Sequence, residues 1–235
     1  MTAKITYFAP EDPLSLAGWE VQSNLPSASS DRASQLGSDG DECGYDLYNN
    51  TISKTLEYGS CASNGQLILP DAGETKNGEM IDGFTLSFSN TDKPKLSVNT
   101  HKHSPTTHTD GSTRKYKPSI TFDAGFGIPR EGMGFTLDVG DIGVGIQSVE
   151  YSLNVTHVDD QGDLGDWIAG DNHDGVETFS ITIVGSGATI TPPGEGWGLI
   201  SQSGGANNEG ADTETFEYER HVKAHVGNGG GNGGT

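Results

Sequence analysis

Between Met80 and His103, apolar and polar side chains alternate with a period of two, and no other pattern in the chain constrains the fold as tightly. Phe84, Leu86 and Phe88 alternate with Thr85, Ser87 and Ser89; Asn90 to Pro94 supplies a turn; Leu96, Val98 and Thr100 then alternate with Ser97, Asn99 and His101. A period of two puts one set of side chains on each face of a strand, so this segment predicts a β-hairpin with one face buried and one wet. Such a sheet closes a core on one side and offers the other to a partner.

The same texture recurs on both sides of the hairpin. Strand character is read at residues 3 to 8, from Gly18 to Val21, at Leu47 to Tyr58 with Ile52, Leu56 and Tyr58 on one side, and at Gln66 to Leu69. Asp71 to Glu79 reads as a polar turn, Ser104 to Ser112 as a loop, and Tyr116 to Phe122 as a strand with Ile120 and Phe122 together. Further on, three runs alternate: Phe135, Leu137 and Val139; Val149, Tyr151, Leu153, Val155 and His157; and Phe179, Ile181 and Ile183. A last run, expected to be the longest strand, sets Phe216, Tyr218, Arg220, Val222, Ala224 and Val226 against Glu217, Glu219, His221, Lys223 and His225. No segment carries helical periodicity over ten residues. The expected class is all-β, an antiparallel β-sandwich or barrel with long loops and little helix. Asn24 to Glu42, rich in Ser, Asp and Gly, predicts a long loop with one helical turn near Asp31 to Leu36. The Gly/Asn tail 227–235 is expected to be disordered. Two domain readings stand: one β domain over 1–226, or, if the echo between Gly18-Trp19 and Gly196-Trp197 reflects duplication, two similar units at about 1–130 and 131–226.

With 235 residues, 31% of them hydrophobic, the chain is long enough to bury a core, yet its apolar runs are too short for a membrane-spanning helix. The first ten residues lack the apolar stretch of a signal peptide, so folding in a cytoplasm is expected, with no membrane partner. Cys43 and Cys61 flank a predicted strand and could pair; compartment logic favours reduced, partly buried thiols.

Charge is unevenly spread. Between Glu131 and Glu219 lie 17 acidic residues and no Lys or Arg, whereas Lys93, Lys95, Lys102, Arg114, Lys115 and Lys117 fall within 25 positions beside one acid, Asp110. A net charge of −20 can serve solubility alone. It also suits a head-to-tail contact between copies, basic segment against acidic surface, including Asp159, Asp160, Asp163 and Asp166. Stable nucleic-acid binding by the acidic face is excluded, because counterion release requires Lys and Arg.

Motifs for chemistry are sparse. His101 and His103, two apart on a strand, with His108 in the following loop, would supply three ligands to a transition metal. No fourth ligand is evident, and Lys93 and Lys102 oppose a cation, so polar-face hydrogen bonding is expected, with His157 a satisfied core histidine and no metal or cofactor. Six carboxylates from Asp159 to Asp174 could approach calcium chemistry, but the calcium-loop order of Gly and terminal Glu is missing, so a solvated or interface-facing loop is expected. Nucleophile elbows and phosphate-binding loops are missing too, and no catalytic residue is expected. Trp19, Trp167 and Trp197 fit either sugar stacking in a monomeric carbohydrate-binding or adhesin-like module, or buried loop anchors.

The segments Met80 to Phe88, Lys95 to His103 and Val149 to His157, in a Gly-rich acidic all-β chain, resemble a virion structural protein of a tailed bacteriophage, most nearly a tail tube subunit. The resemblance implies subunits joined edge to edge into stacked rings, with copies of itself and other virion proteins as partners and DNA as a cargo that does not stick to an acidic lumen. It implies a virion location after synthesis in the bacterial host cytoplasm. Tail tube subunits usually carry a helix on the sandwich; none is predicted here, which leaves a capsid decoration or fibre-associated protein open.

Overall fold

The computed structural model describes residues 10–61, 67–89, 92–103, 114–122, 136–138, 145–161, 167–185, 188–205 and 212–224. The fold is all-β: the described residues form eleven strands and include no helix, so none that could cross a membrane. In chain order they are β1 (Trp19–Leu36), β2 (Glu42–Ser60), β3 (Thr75–Lys76), β4 (Glu79–Ser89), β5 (Lys95–His103), β6 (Thr136–Asp138), β7 (Gly145–Gln161), β8 (Trp167–Val184), β9 (Thr189–Thr191), β10 (Gly198–Gly205) and β11 (Thr213–Val222). One antiparallel sheet takes nine of them in the order β1-β2-β5-β4-β7-β8-β11-β10, with β3 folded back onto β4; β6 and β9 pair separately.

The predicted hairpin sits near the middle of this sheet as β4 and β5, and its alternation organises the packing. Ladder register lines up Tyr58, Leu96, Leu86, Tyr151, Phe179 and Tyr218 across six strands, and all are buried. The neighbouring row is Leu56, Val98, Phe84, Leu153, Glu177 and Arg220. Over this face pack Leu14, Leu16, Leu67, Ile120, Phe122 and Ile190 from the connecting segments and β9, which gives the sandwich an uneven second layer. Each large side chain buried there contributes about 1.5–3 kcal/mol.

Several expectations are corrected. Asn24 to Glu42 is not a loop: β1 continues to Leu36, β2 starts at Glu42, and Gly37 to Asp41 alone makes the turn. The ladder from Asn24↔Leu56 to Gln35↔Gly44 holds it, with shifts at Val21/Ser23 and Ser29/Asp31. Backbone pairing needs no apolar alternation, so Ser and Asp suffice where both faces meet water. Conversely, residues 67–69 and 117–122 are irregular, because they cap the core rather than join a ladder; Leu67 N–H donates to the Phe122 carbonyl at 2.6 Å, and Tyr116 bridges only Ala72. Within the polar turn, Asn77 and Gly78 adopt φ of 51° and 80°, the left-handed pair a tight hairpin requires, so β3 returns onto β4. The last strand, β11, has 10 residues, against 19 in β2. Cys43 and Cys61 are free and exposed rather than partly buried. The expectations for 3–8, the Ser104 to Ser112 loop and the 227–235 tail fall outside the described residues.

Two core tyrosines carry a pH consequence. Burial, then the Asp12 carboxylate that Tyr58 Oη donates to at 2.8 Å, pushes the Tyr58 phenol above its ordinary range. Burial and Glu177 do the same to Tyr151. A pKa raised in the folded state contributes stability that is intact below the unfolded value near 10 and is lost as pH rises beyond it. Stability is therefore expected to fall by about 1.4 kcal/mol per pH unit for each of these tyrosines above pH ~10. Denaturant titration of wild type and Tyr58→Phe between neutral pH and pH 11 checks it: the variant should show the shallower decline, and parallel curves would refute the assignment.

Candidate functional site

Three histidines and an aspartate converge where the central sheet loosens. The β4–β7 ladder ends at Gly83↔Asn154, because the β3 return occupies that side of β4 from Met80 onward. Bulges fall beside this point, in β4 between Ile81 and Gly83 and in β8 between His173 and Val176, which pair with Thr156 and Asn154 of β7. Beyond it, His101 and His103 of β5 meet His157 and Asp159 of β7, with one ligand atom from each of the four within 4.8 Å of all the others. Ring centroids of His101 lie 5.6 Å from His103 and 4.7 Å from His157.

The outer ring nitrogens are held. Asp82 lies 2.5 Å from His101 Nδ1, Thr51 Oγ1 lies 3.3 Å from His103 Nδ1, and Asn172 Oδ1 lies 2.8 Å from His157 Nδ1. Asn172 is itself fixed, its Nδ2 donating to the carbonyls of Gly73 at 3.4 Å and Arg114 at 3.1 Å, so its oxygen must be the atom that faces His157. On the inner side one carboxylate serves two imidazoles: Asp159 Oδ1 lies 2.7 Å from His157 Nε2 and Asp159 Oδ2 lies 2.9 Å from His103 Nε2. Burial disfavours imidazolium at His157, but hydrogen bonds to Asp159 and Asn172 and the Asp159 charge outweigh it and raise its pKa above the ordinary value. At His103 burial dominates and lowers it.

His101 and His103 thus share a face, as their spacing requires, but that face is buried here: they are 8% and 5% exposed. His157 is hydrogen-bonded as expected, yet among polar groups rather than in the apolar core. His108 falls outside the described residues, as do Asp163 and Asp166. The supposed acidic loop begins inside a strand, since Asp159 and Asp160 belong to β7 and Asp171 and Asp174 to β8. Lys102 turns to the other face, 3.8 Å from Glu79, which also pairs with Lys54. Of the other basic residues, Lys95 lies 3.6 Å from Asp92 and Arg114 lies 3.5 Å from Asp171, so part of the basic segment is balanced within the chain. Lys93, Lys115 and Lys117 lie outside the strands, Lys93 and Lys117 exposed and Lys115 half-buried. Trp19 is a buried anchor whose Nε1 donates to the Ile68 carbonyl, and Trp197 lies under Arg220, whose Cζ is 4.4 Å from the ring centroid; neither offers an open stacking face.

A second feature is the edge of the sheet. β10 ends it, and all eight of its residues are exposed, Leu199 and Ile200 by about half. Across the wet face run Glu57, Ser97, Thr85, Ser152, Thr178 and Glu219, one per strand from β2 to β11. The sequence matches no family model and no curated protein.

Proposed function

We propose that this chain is a non-enzymatic virion structural protein that self-assembles through its sheet edges, most nearly a tail tube subunit of a tailed bacteriophage. The observation that carries this reading is β10, an uncharged, proline-free terminal strand exposed along its whole length. An edge like that pairs with another chain unless something blunts it. Joined to a different edge of the next copy, it gives a head-to-tail contact that closes into a ring or grows into a filament.

The wet face supports the same reading. A row of hydroxyls ending in Glu57 and Glu219, beside a second row with Ser87, Glu150, Ser180 and Glu217, presents short polar groups and carboxylates, with Lys95 at its margin. Turned toward a lumen, such a surface repels phosphate and lets DNA slide. Copies of itself and other virion proteins are then the partners, and the virion the location. Light scattering with negative-stain imaging of purified protein at low and high salt tests this: rings or tubes are expected, with salt weakening whatever part of the contact is ionic. A 24.7 kDa monomer at every concentration would remove the proposal.

A further inference from the structure

We propose that His101, His103, His157 and Asp159 form a structural site for a first-row transition-metal dication, with zinc the ion whose chemistry fits best. Three imidazoles and one carboxylate are a donor set zinc accepts, and four protein ligands, two buried and two half-buried, make a closed site, the form metals take when they hold a fold together.

The hydrogen bonds around the cluster argue for a metal more strongly than the residue types do. Each imidazole has its Nδ1 engaged from outside, by Asp82, Thr51 or Asn172, and metal-bound histidines are oriented and made more basic in this way. A carboxylate and an amide oxygen can only accept, so His101 and His157 carry their protons on Nδ1 and direct the Nε2 lone pair inward. His157 therefore faces an acceptor at each nitrogen, Asn172 on one side and Asp159 on the other. A neutral imidazole cannot donate to both; either a second proton or a metal ion must sit between His157 Nε2 and Asp159. A dication shared by Nε2 atoms and the carboxylate answers all of these contacts at once and balances the two carboxylates, Asp82 and Asp159, gathered there.

Space is kept open for the arrangement. At Gly170, opposite Asp159 in the ladder, a Cβ would stand 2.5 Å from His157 Cε1 and 2.6 Å from its Nε2, so any side chain would drive the ring off its position. The site also has a mechanical purpose. β5 and β7 are not neighbours, since β4 separates them, and the backbone ladder between β4 and β7 has already stopped at Gly83. A metal bridging the two would close by coordination the place where hydrogen bonding runs out.

The test uses the full chain, stripped with a chelator and titrated with zinc chloride by calorimetry, with metal content and thermal unfolding measured on the same samples. One zinc per chain is expected, with a melting temperature raised by about 5 °C or more at a hundredfold excess over the dissociation constant. Cobalt should give the visible bands of a four-coordinate site. Asp159→Asn and His103→Gln should abolish both signals. Asp82→Asn, which leaves the four ligands in place and removes the negative charge that makes His101 more basic, should weaken binding by about tenfold or more. Asp160→Asn and His173→Gln should change nothing. If Asp159→Asn or His103→Gln fails to fold, Asp82→Asn decides. Absence of stoichiometric binding, or binding unchanged in the ligand variants or in Asp82→Asn, overturns the assignment. None of these readouts depends on self-assembly, so this site and the proposed function can fail separately.

Discussion

Replacing Arg220 by methionine is expected to cost about 3–5 kcal/mol, or on the order of 10 °C in melting temperature. The reason is its partner. Glu177 lies in the core row between Leu153 and Arg220 and is 0% exposed. Its carboxylate accepts from Ser119 N at 2.8 Å, Ser119 Oγ at 2.5 Å and Tyr151 Oη at 2.5 Å, but Arg220, with Nε 2.6 Å away, supplies the neighbouring positive charge. The guanidinium is also held by Glu195 O and Ser119 Oγ and lies over Trp197. Methionine keeps much of the apolar stem and removes the charge, which leaves a buried carboxylate without a counterion. If that uncompensated charge is the source of the loss, Glu177→Leu in the same background should recover about 1 kcal/mol or more, even though Ser119 and Tyr151 then lose an acceptor. Denaturant unfolding of the two variants settles it: a double variant less stable than Arg220→Met would place the cost in packing instead.

This pair was within reach of the sequence, and of the histidine cluster only His101 and His103 were. Glu177 shares parity with Phe179, Ile181 and Ile183, and Arg220 with Phe216 and Tyr218, so each is a charge on the apolar face of its strand. Two such breaks on adjacent strands announce a buried ion pair. His157 gives no comparable signal. Alternation runs on through Val155 to His157 and Asp159, with Asn154, Thr156, Val158 and Asp160 exposed between them, but parity along β7 does not say which strand this end of it meets. Its meeting with His101 also needs the β3 return to keep β7 off β4, a tertiary arrangement that periodicity does not encode.

The same logic explains which strands could be read. Phe84, Leu86, Phe88, Leu96 and Val98 alternate because one face of their sheet is dry and the other wet. From Leu25 to Leu36 the described side chains of β1 are exposed on both faces, so nothing selects for alternation and composition suggests a loop. Ile120 and Phe122 err in the opposite direction: they are 3% and 0% exposed and spaced like a strand, but they fill the core from an irregular cap. Burial pattern reports what a segment packs against, and ladder membership is a separate fact.

Charging the β10 edge should convert assemblies into monomers with little change in stability. Leu199 and Ile200 are 52% and 53% exposed, and a lysine stem covers much of the apolar surface they cover, so Leu199→Lys with Ile200→Lys should alter unfolding free energy by about 0.5 kcal/mol or less per site. Lysine on an edge strand opposes pairing with another chain, and a second copy would have to desolvate both charges. The two ends of the sheet are unequal in this respect. β1 carries Pro26, Glu20, Asp31, Arg32 and three register shifts, all of which blunt an edge, whereas Gly198–Gly205 has one shift, between Leu199 and Ser201, and no charge and no proline. This asymmetry makes a third measurement informative. If β10 pairs with β1 of the next copy, Leu25→Lys on β1, where Leu25 is 64% exposed, should also dissociate the assembly. If β10 pairs with β10, the contact is two-fold, only the β10 variant matters, and the wild-type particle stops at a dimer near twice 24.7 kDa. Light scattering on the three proteins separates these cases, and an assembly indifferent to the β10 lysines would remove the edge from the mechanism.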